Sequence, residues 1–586
     1  MGLLADICDA VETYARFVAD RASQARSEPA FAASLIERWD AVADQAGTFT
    51  TPTGLTLPRL ALPQTREPGA VAEYLFGQGP PGEFPFVNAA YPQMYLESAG
   101  GADKTAVEEP TRLFAGLGLA EDTNERFHFL KRQQRSIRLS TAFDGPTLYG
   151  MDSDADGVFG KIGEGGVAID TVEDMQRLYA GFPFGGDHLS VSMTINGPAP
   201  AILAMYVVAA GRQGGTNVLP TLRGTIQADV LKEVQAQNEV LFPIDASLRF
   251  LTDMVEYTTG HMPRWYPISI SGYHIAEAGA TPVQQAAYTL SNGFTYVELF
   301  RKRGLDIEQF GPRLSFFLDC GLDLEYLALA RVCRKLWAIG MRDVMRAGER
   351  SQRFKLHTQT SGRSLISHDF KNNLTRTAIE LMVAYMNATN SSHSNSADEP
   401  FTTPGEEYVR LAAQAQAILL EESGLFNGMM NALSGSPGMK AVEAAVTRAI
   451  LEEFREIDRL GGVLAAVEHR YQRSQIQAAA HRYERQIYEG VRPVIGLNRY
   501  RANAGPDSEV KIVRTPQSKK RLQVDRLKRF KRQNAKAAAR ALDDLAIVVE
   551  AGGNVFEQLL ETVKHCSLGQ ITTRRQEVVG RYRPSV

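Results

Sequence analysis

The 586-residue sequence predicts an α/β fold, a (β/α)8 TIM barrel with an extended N-terminal arm and a helical C-terminal region. Three observations predict it. From about residue 137, short β-rich runs alternate with stretches whose apolar residues recur at three-to-four spacing, the pattern of parallel βαβ units. Before residue 130 the chain is broken by Pro and Gly beyond an opening helix. After 436 it turns helical. The boundaries drawn are 1–130 for the helix and the arm lying on the barrel, 131–435 for the barrel, and 436–586 for a helical region with a partner-facing linker.

Taken in order, IRLSTAFD, LSVSMTI, RGTIQ, PISISGYH, RLSFFLD, FKLHTQTS and SSHSNSA read as seven strands; an eighth, which would close the barrel, is expected near 424–430. Several runs carry polar residues at alternate positions: Ser190, Ser192 and Thr194; Thr225 and Gln227; Ser269 and Ser271; His357 and Gln359. Period two sends each set to one face of its strand. Pointing inward, such a set makes a wet bore that a long, thin, polar ligand could thread. Pointing outward, it would face the helices and leave an ordinary aliphatic interior.

Hydrophobic residues at 44 % and charged residues at 22 % exclude disordered, collagen-like and disulfide-scaffold classes. Sixty-four Lys and Arg against 67 Asp and Glu leave a net charge of −3, so no global field recruits nucleic acid or an anionic membrane. Cys8, Cys320, Cys333 and Cys566 lie far apart without a CxxC pair and read as buried thiols, with no metal site expected. The opening residues lack a basic leader and no apolar run reaches the roughly 18 residues of a membrane helix, so a cytoplasmic protein is expected.

DSDADG at 152–157 imitates the start of a calcium loop, but Gly163 stands where a bidentate Glu belongs. GKIGEGGVAID at 160–170 lacks the ending of a phosphate loop and reads as a tight turn. The basic run 519–540 places Leu522, Leu527, Phe530 and Asn534 near one helical face, so it reads as an amphipathic helix facing solvent or a partner rather than nucleic acid. Tyr273 and His274 end a strand, where a barrel keeps its chemistry and an imidazole can polarise a carbonyl. A lone structural histidine is the alternative there.

STAFDGPTLYG, GKIGEGGVAID, LSVSMTINGPAP, GTIQADVLKE, ISISGYHIAEAGA, PRLSFF, HTQTSGRSL and SHSNSADE, in that order, resemble the substrate-binding large subunit of the adenosylcobalamin-dependent acyl-CoA mutases. The resemblance runs from about Tyr91 to the C-terminus. It implies a barrel that threads the pantetheine of coenzyme A along its axis, capped by cobalamin, whose adenosyl radical starts the 1,2-shift of the thioester group. By motif, His274, beside Tyr273, matches the residue that bonds the thioester carbonyl. Tyr91, Met94, Arg112, Ser140, Ser192, Thr225, Gln227, Arg313, Ser315 and Gln359 match acyl-CoA positions, and Phe143, Gly165, Ala236, Arg363, Asn395 and Glu399 match positions around the cobalamin and its adenosyl group.

The resemblance also bears on substrate. Methylmalonyl-CoA mutases carry Tyr and Arg where this chain has Phe114 and Gln237, and hydroxyisobutyryl-CoA mutases carry Asp where it has Ala142. A buried carboxylate without a cation is costly. The three positions together therefore resemble isobutyryl-CoA mutases, which interconvert isobutyryl-CoA and n-butyryl-CoA, with a bulkier acyl such as pivalyl as the alternative. No DxHxxG motif and no P-loop occur, so a separate small cobalamin-binding subunit is expected to supply the cobalt ligand, with a GTPase chaperone as a further partner. The family suggests a homodimer of large subunits within a heterotetramer. Altered segments at 391–400 and 425–440 leave a non-catalytic scaffold as a second reading.

Overall fold

The computed structural model describes residues 2–583 apart from 52, 62–65, 93, 96–110, 133–136, 186–188, 427, 429–433 and 502–511. A short antiparallel hairpin, β1 (Thr48–Thr50) and β2 (Thr56–Pro58), precedes two parallel sheets. The first sheet runs β3 (Leu113–Ala115), β4 (Ile137–Ala142), β5 (Leu189–Thr194), β6 (Gly224–Ile226) and β7 (Trp265–Tyr266) in that order. The second holds β8 (Ile268–Ser271), β9 (Leu314–Cys320), β10 (Leu356–Thr360) and β11 (Ser391–His393) in sequential register. β7 and β8 are one stretch of chain split at Pro267, which has no N–H to give the ladder.

The sheets meet at two seams. Ser269 N donates to Gln227 O at 3.0 Å on one side, while Thr111 bridges Ser392 and Arg112 N donates to Ser392 O at 2.8 Å on the other.

Among the described residues of 424–430 there is no strand: Gly424, Leu425, Phe426 and Gly428 are irregular, and 427, 429 and 430 lie outside the described residues. β3 instead adds a strand on the N-terminal side of the boundary drawn at 130, pairing Phe114 with Ser140. Three residues are too few for periodicity to mark. The arm around it is pinned by buried arginines. Arg334 donates to Phe86 O, Val87 O and Asn387 O, and Arg331 to Asn88 Oδ1 at 3.0 Å.

Apolar residues of β3 to β10, among them Val191, Ile226, Ile268, Ile270, Leu314, Phe316, Leu318 and Leu356, join one core with the covering helices Ala199–Gly214, Pro282–Lys302 and Tyr326–Ile339. Strand alternation therefore leaves the hydroxyl set on the opposite face. All four cysteines are buried and free. Among the described residues, no helix is long and apolar enough to cross a membrane.

The C-terminal region is helical, dominated by the helix Gln517–Ala551. Its basic run faces this chain's own acids. Lys519 bonds Asp122, Lys520 Nζ reaches Glu164 at 2.7 Å, Arg526 reaches Glu121 at 2.8 Å, and Lys531 lies 2.8 and 2.7 Å from Asp152 and Asp154. The acids that imitate a calcium loop thus anchor a helix. Leu527 and Phe530 are buried as expected, whereas Leu522 is exposed, because at 3.6 residues per turn it lies about 140° around the helix from Leu527.

Candidate active site

A cavity of about 620 Å³ runs along the hydroxyl face. Tyr91, Arg112, Phe114, Ser192, Thr225, Gln227, Arg313 and Ser315 line it, eight of the positions expected to meet the ligand. Register explains the grouping. Ser140 lies opposite Phe114 and Ser192, and Ser192 opposite Thr225, so inward residues form layers across strands. Two buried polar atoms, Ser140 Oγ and Gln227 Nε2, have no hydrogen-bond partner among the described residues. Such groups are rarely left so unless water or ligand serves them. Gln227 is oriented by Asn196 Nδ2, which donates to its Oε1 at 3.1 Å. Arg112 donates to Ser192 Oγ at 2.9 Å, and Ser315 Oγ donates to Ile268 O at 3.1 Å.

At the N-terminal ends of the strands the cavity opens between Arg138, Arg223, Arg264, Arg313, Arg350 and Lys355, with Glu308 the acid among the described lining residues. Cations gathered at one mouth attract an anion such as a phosphate. Arg313 also donates to the carbonyls of Thr258, Thr259 and Met262, which end the helix Ile244–His261. Apart from Arg313, this ring escaped sequence reading. Arg138 alone carried a signal, being in step with Ser140, whereas Arg350 comes from a helix and the others from strand-preceding loops.

At the C-terminal end Phe317 lines the cavity and stacks on Tyr273 at 4.8 Å with rings 2° apart, and His274 packs edge-on against it. His274 Nδ1 is 2.7 Å from Ser271 Oγ, leaving Nε2 as the free nitrogen. Burial holds this imidazole well below its ordinary pKa, and the Lys232 charge pushes the same way, so the ring is neutral. Lys232 is fully buried, bonded to Glu233 and to Gln237 Oε1. A cation therefore stands near this end, already neutralised by its neighbour. Gln237 and Ala236 share its turn, Glu233–Gln237, rather than the cavity wall.

Gln359 Nε2 donates to Tyr273 OH at 2.9 Å and to Asn395 Oδ1 at 2.8 Å, and Asn395 Nδ2 donates to Thr360 O at 2.8 Å. Gln359 and Asn395 thus tie two strand ends to Tyr273 without lining the cavity. Met94 accepts from Asn390 Nδ2 beside the arm, and Ala142 ends β4 half-buried.

The positions matched to cobalamin lie around this end. Phe143 is buried in the core, bridged to Val167. Gly165 has φ +67° and open space where a side chain would stand, while a Cβ on neighbouring Gly166 would strike the Phe143 backbone at 2.1 Å. Arg363 donates to Ala276 O and Ala280 O and lies over the Tyr483 ring at 4.2 Å. Glu399 is solvent-exposed, in the turn that follows β11. The open space at Gly165 and the exposed Glu399 are each compatible with a large polar ligand such as an adenosyl-bearing corrinoid, for which Gly165 would leave room and Glu399 would bond a ribose hydroxyl.

A cavity with cations at one mouth and hydroxyls along its wall suits a long, thin, anionic ligand. The family model for methylmalonyl-CoA mutase matches residues 50–581, and the chain belongs to that family of acyl-CoA mutases, which are isomerases. It is 43 % identical over 563 residues to a fused isobutyryl-CoA mutase of Geobacillus kaustophilus, 92 % of this chain and 51 % of that protein. It is 41 % identical over 557 residues to the fused isobutyryl-CoA mutase of Nocardia farcinica, again 51 % of the relative. With the 2-hydroxyisobutanoyl-CoA mutase large subunit of Aquincola tertiaricarbonis it shares 36 % over 512 residues, 86 % of this chain and 88 % of that one. The chain thus spans about half the length of the fused relatives.

Proposed function

We propose that this chain is the acyl-CoA-binding large subunit of a coenzyme B12-dependent mutase that interconverts isobutyryl-CoA and n-butyryl-CoA. The observation that carries the proposal is the hydroxyl-walled cavity, with cations at one end and Phe114 and Phe317 in its wall, Tyr273 and His274 packing on Phe317 from outside the lining. Phe114 stacks on Phe317 at 6.4 Å, and Phe317 touches both His357 and Tyr273, so the wall leading to the acyl end is aromatic and carries no hydroxyl at Phe114. Lys232 is paired with Glu233, so it offers no unbalanced charge to a carboxylated acyl group. Both features favour an uncharged branched acyl.

The two seams support reading both sheets as one closed eight-stranded barrel, which then begins at Leu113 rather than near 131. Arg138, Arg223 and their neighbours would hold the phosphates of coenzyme A, and Ser192 and Thr225, with Ser140 in register beside Ser192, its pantetheine. His274 Nε2 would donate to the thioester carbonyl, and the Tyr273–Phe317 stack would shield the reacting carbons from water. Bound cobalamin supplies the radical chemistry. Its cobalt ligand would come from a separate small subunit, a reading supported by the near-complete overlap with a protein named as a large subunit. The intact Gln359–Tyr273–Asn395 network opposes the scaffold reading, since a scaffold has no use for it.

The test is turnover. Mixed with adenosylcobalamin and a small cobalamin-binding mutase subunit, the chain should convert isobutyryl-CoA to n-butyryl-CoA and leave methylmalonyl-CoA untouched. Turnover of methylmalonyl-CoA, or of none of the butyryl, isobutyryl and pivalyl thioesters, would refute the proposal.

A further inference from the structure

His357 lies on β10, in register with Ser391 of β11 and Phe317 of β9. Its ring is held on three sides. Nδ1 is 2.8 Å from Ser391 Oγ, Phe114 packs edge-on at 5.8 Å, and Phe317 is tilted against it at 4.9 Å. The remaining nitrogen, Nε2, is shielded from solvent and has no hydrogen-bond partner among the described residues, yet the residue lines the cavity. A rigidly held imidazole nitrogen without a partner is a feature that a ligand atom would complete.

We propose that His357 is a binding residue for the pantetheine arm, its Nε2–H donating to the carbonyl of the amide nearest the thioester. The inference rests on the acyl-CoA reading above. Depth along the tube selects the amide. Gln359, bonded to Tyr273 beside His274, marks the thioester layer. His357 is two residues closer to the cation-ringed mouth on the same strand face, about 6.6 Å by strand geometry. A cysteamine unit, which separates the thioester from the first amide, covers much the same length. Inside a tube an amide carbonyl loses its water and needs a donor. Ser391 O–H donating into Nδ1 fixes the tautomer that leaves the proton on Nε2. Burial, helped by the Arg112 charge, keeps the ring neutral.

The experiment is calorimetric titration of the full chain, unaltered and as His357→Phe and His357→Gln, with coenzyme A and with butyryl-CoA. Phe keeps the ring packing and loses the N–H, whereas Gln keeps a donor. His357→Phe should weaken both ligands equally, by roughly three- to tenfold, because both carry the amide. His357→Gln should recover part of the loss. A butyryl-CoA analogue with that carbonyl reduced to methylene should bind the unaltered chain and His357→Phe alike. Unchanged affinity in His357→Phe overturns the inference, and so does an equal loss in both variants, which would mark a packing role. If the unaltered chain binds neither coenzyme A nor butyryl-CoA, the acyl-CoA reading falls and this inference with it.

Discussion

His274 owes its position to a relay of buried groups. Tyr296 OH donates to Asp229 Oδ1 at 2.6 Å, Ser271 N donates to Asp229 Oδ2 at 2.7 Å, and Ser271 Oγ meets the imidazole. A neutral donor held this way acts on a carbonyl whose negative charge grows during the shift, and such donors are worth roughly 10²–10³ in rate. His274→Ala should therefore lower turnover of the assembled mutase by about that factor, while calorimetry finds butyryl-CoA affinity within about threefold of the unaltered chain. Unchanged turnover would leave His274 a structural residue. Much of this constellation was legible because a strand-terminal Tyr–His and period-two hydroxyls depend only on local order. The pairing of Lys232 with Gln237 was not legible, because the turn Glu233–Gln237 bonds five residues apart and breaks helical spacing.

At the scale of elements, the glycine-rich turn and the long basic helix explain one another. Gly163 has φ +68° and abuts the Gly118 backbone, its N–H donates to Asp144 Oδ2 at 2.7 Å, and Thr515 Oγ1 donates to Gly163 O at 2.8 Å. Lys520 Nζ then closes the loop by donating to Gly160 O and Glu164 Oε1, both at 2.7 Å, while Gln523 Nε2 reaches Asp170 Oδ2 at 2.7 Å. Sequence reading found the turn, the helix and its amphipathic face, but charge complementarity between segments some 350 residues apart has no local signature. Nor has β3, whose three residues acquire meaning only beside β4. Lys520 is buried, so Lys520→Met keeps the apolar stem and removes the two bonds. It should destabilise the fold by about 1.5–3 kcal/mol and speed amide hydrogen exchange across 160–166. Exchange there unchanged from the unaltered chain would show that the turn holds without its clamp.

Across the whole molecule, the C-terminal end of the sheets is founded on buried acids. Asp319 is pushed up to about 8 by burial and by the neighbouring Glu277 charge, and burial with the Asp319 charge drives Glu380 upward as well. Tyr326 OH donates to Asp319 Oδ2 at 2.6 Å, while Asp319 Oδ1 and Glu380 Oε1 have no partner among the described residues. A carboxyl whose folded pKa lies above its unfolded value of about 3.9 favours the native state when protonated. Its contribution is full below the unfolded pKa and is lost as pH rises toward the folded one. His274, His357 and His393 act in the opposite sense, since burial depresses all three and an imidazole that must stay neutral destabilises the fold below its unfolded pKa of about 6.5. The two trends compete below pH 7, but between pH 7 and pH 8 the three unfolded imidazoles together hold on average only about 0.3 proton, against about 0.7 on the native Asp319. The melting temperature should therefore fall between pH 7 and pH 8 through a slope of up to about 1.4 kcal/mol per pH unit from Asp319 alone. Asp319→Asn, which still accepts from Tyr326 and cannot ionise, should flatten that fall when melts are followed by near-ultraviolet dichroism. An identical slope in the variant would mean that Asp319 is already charged in the native protein, with its charge compensated in a way the neighbouring Tyr326 does not supply.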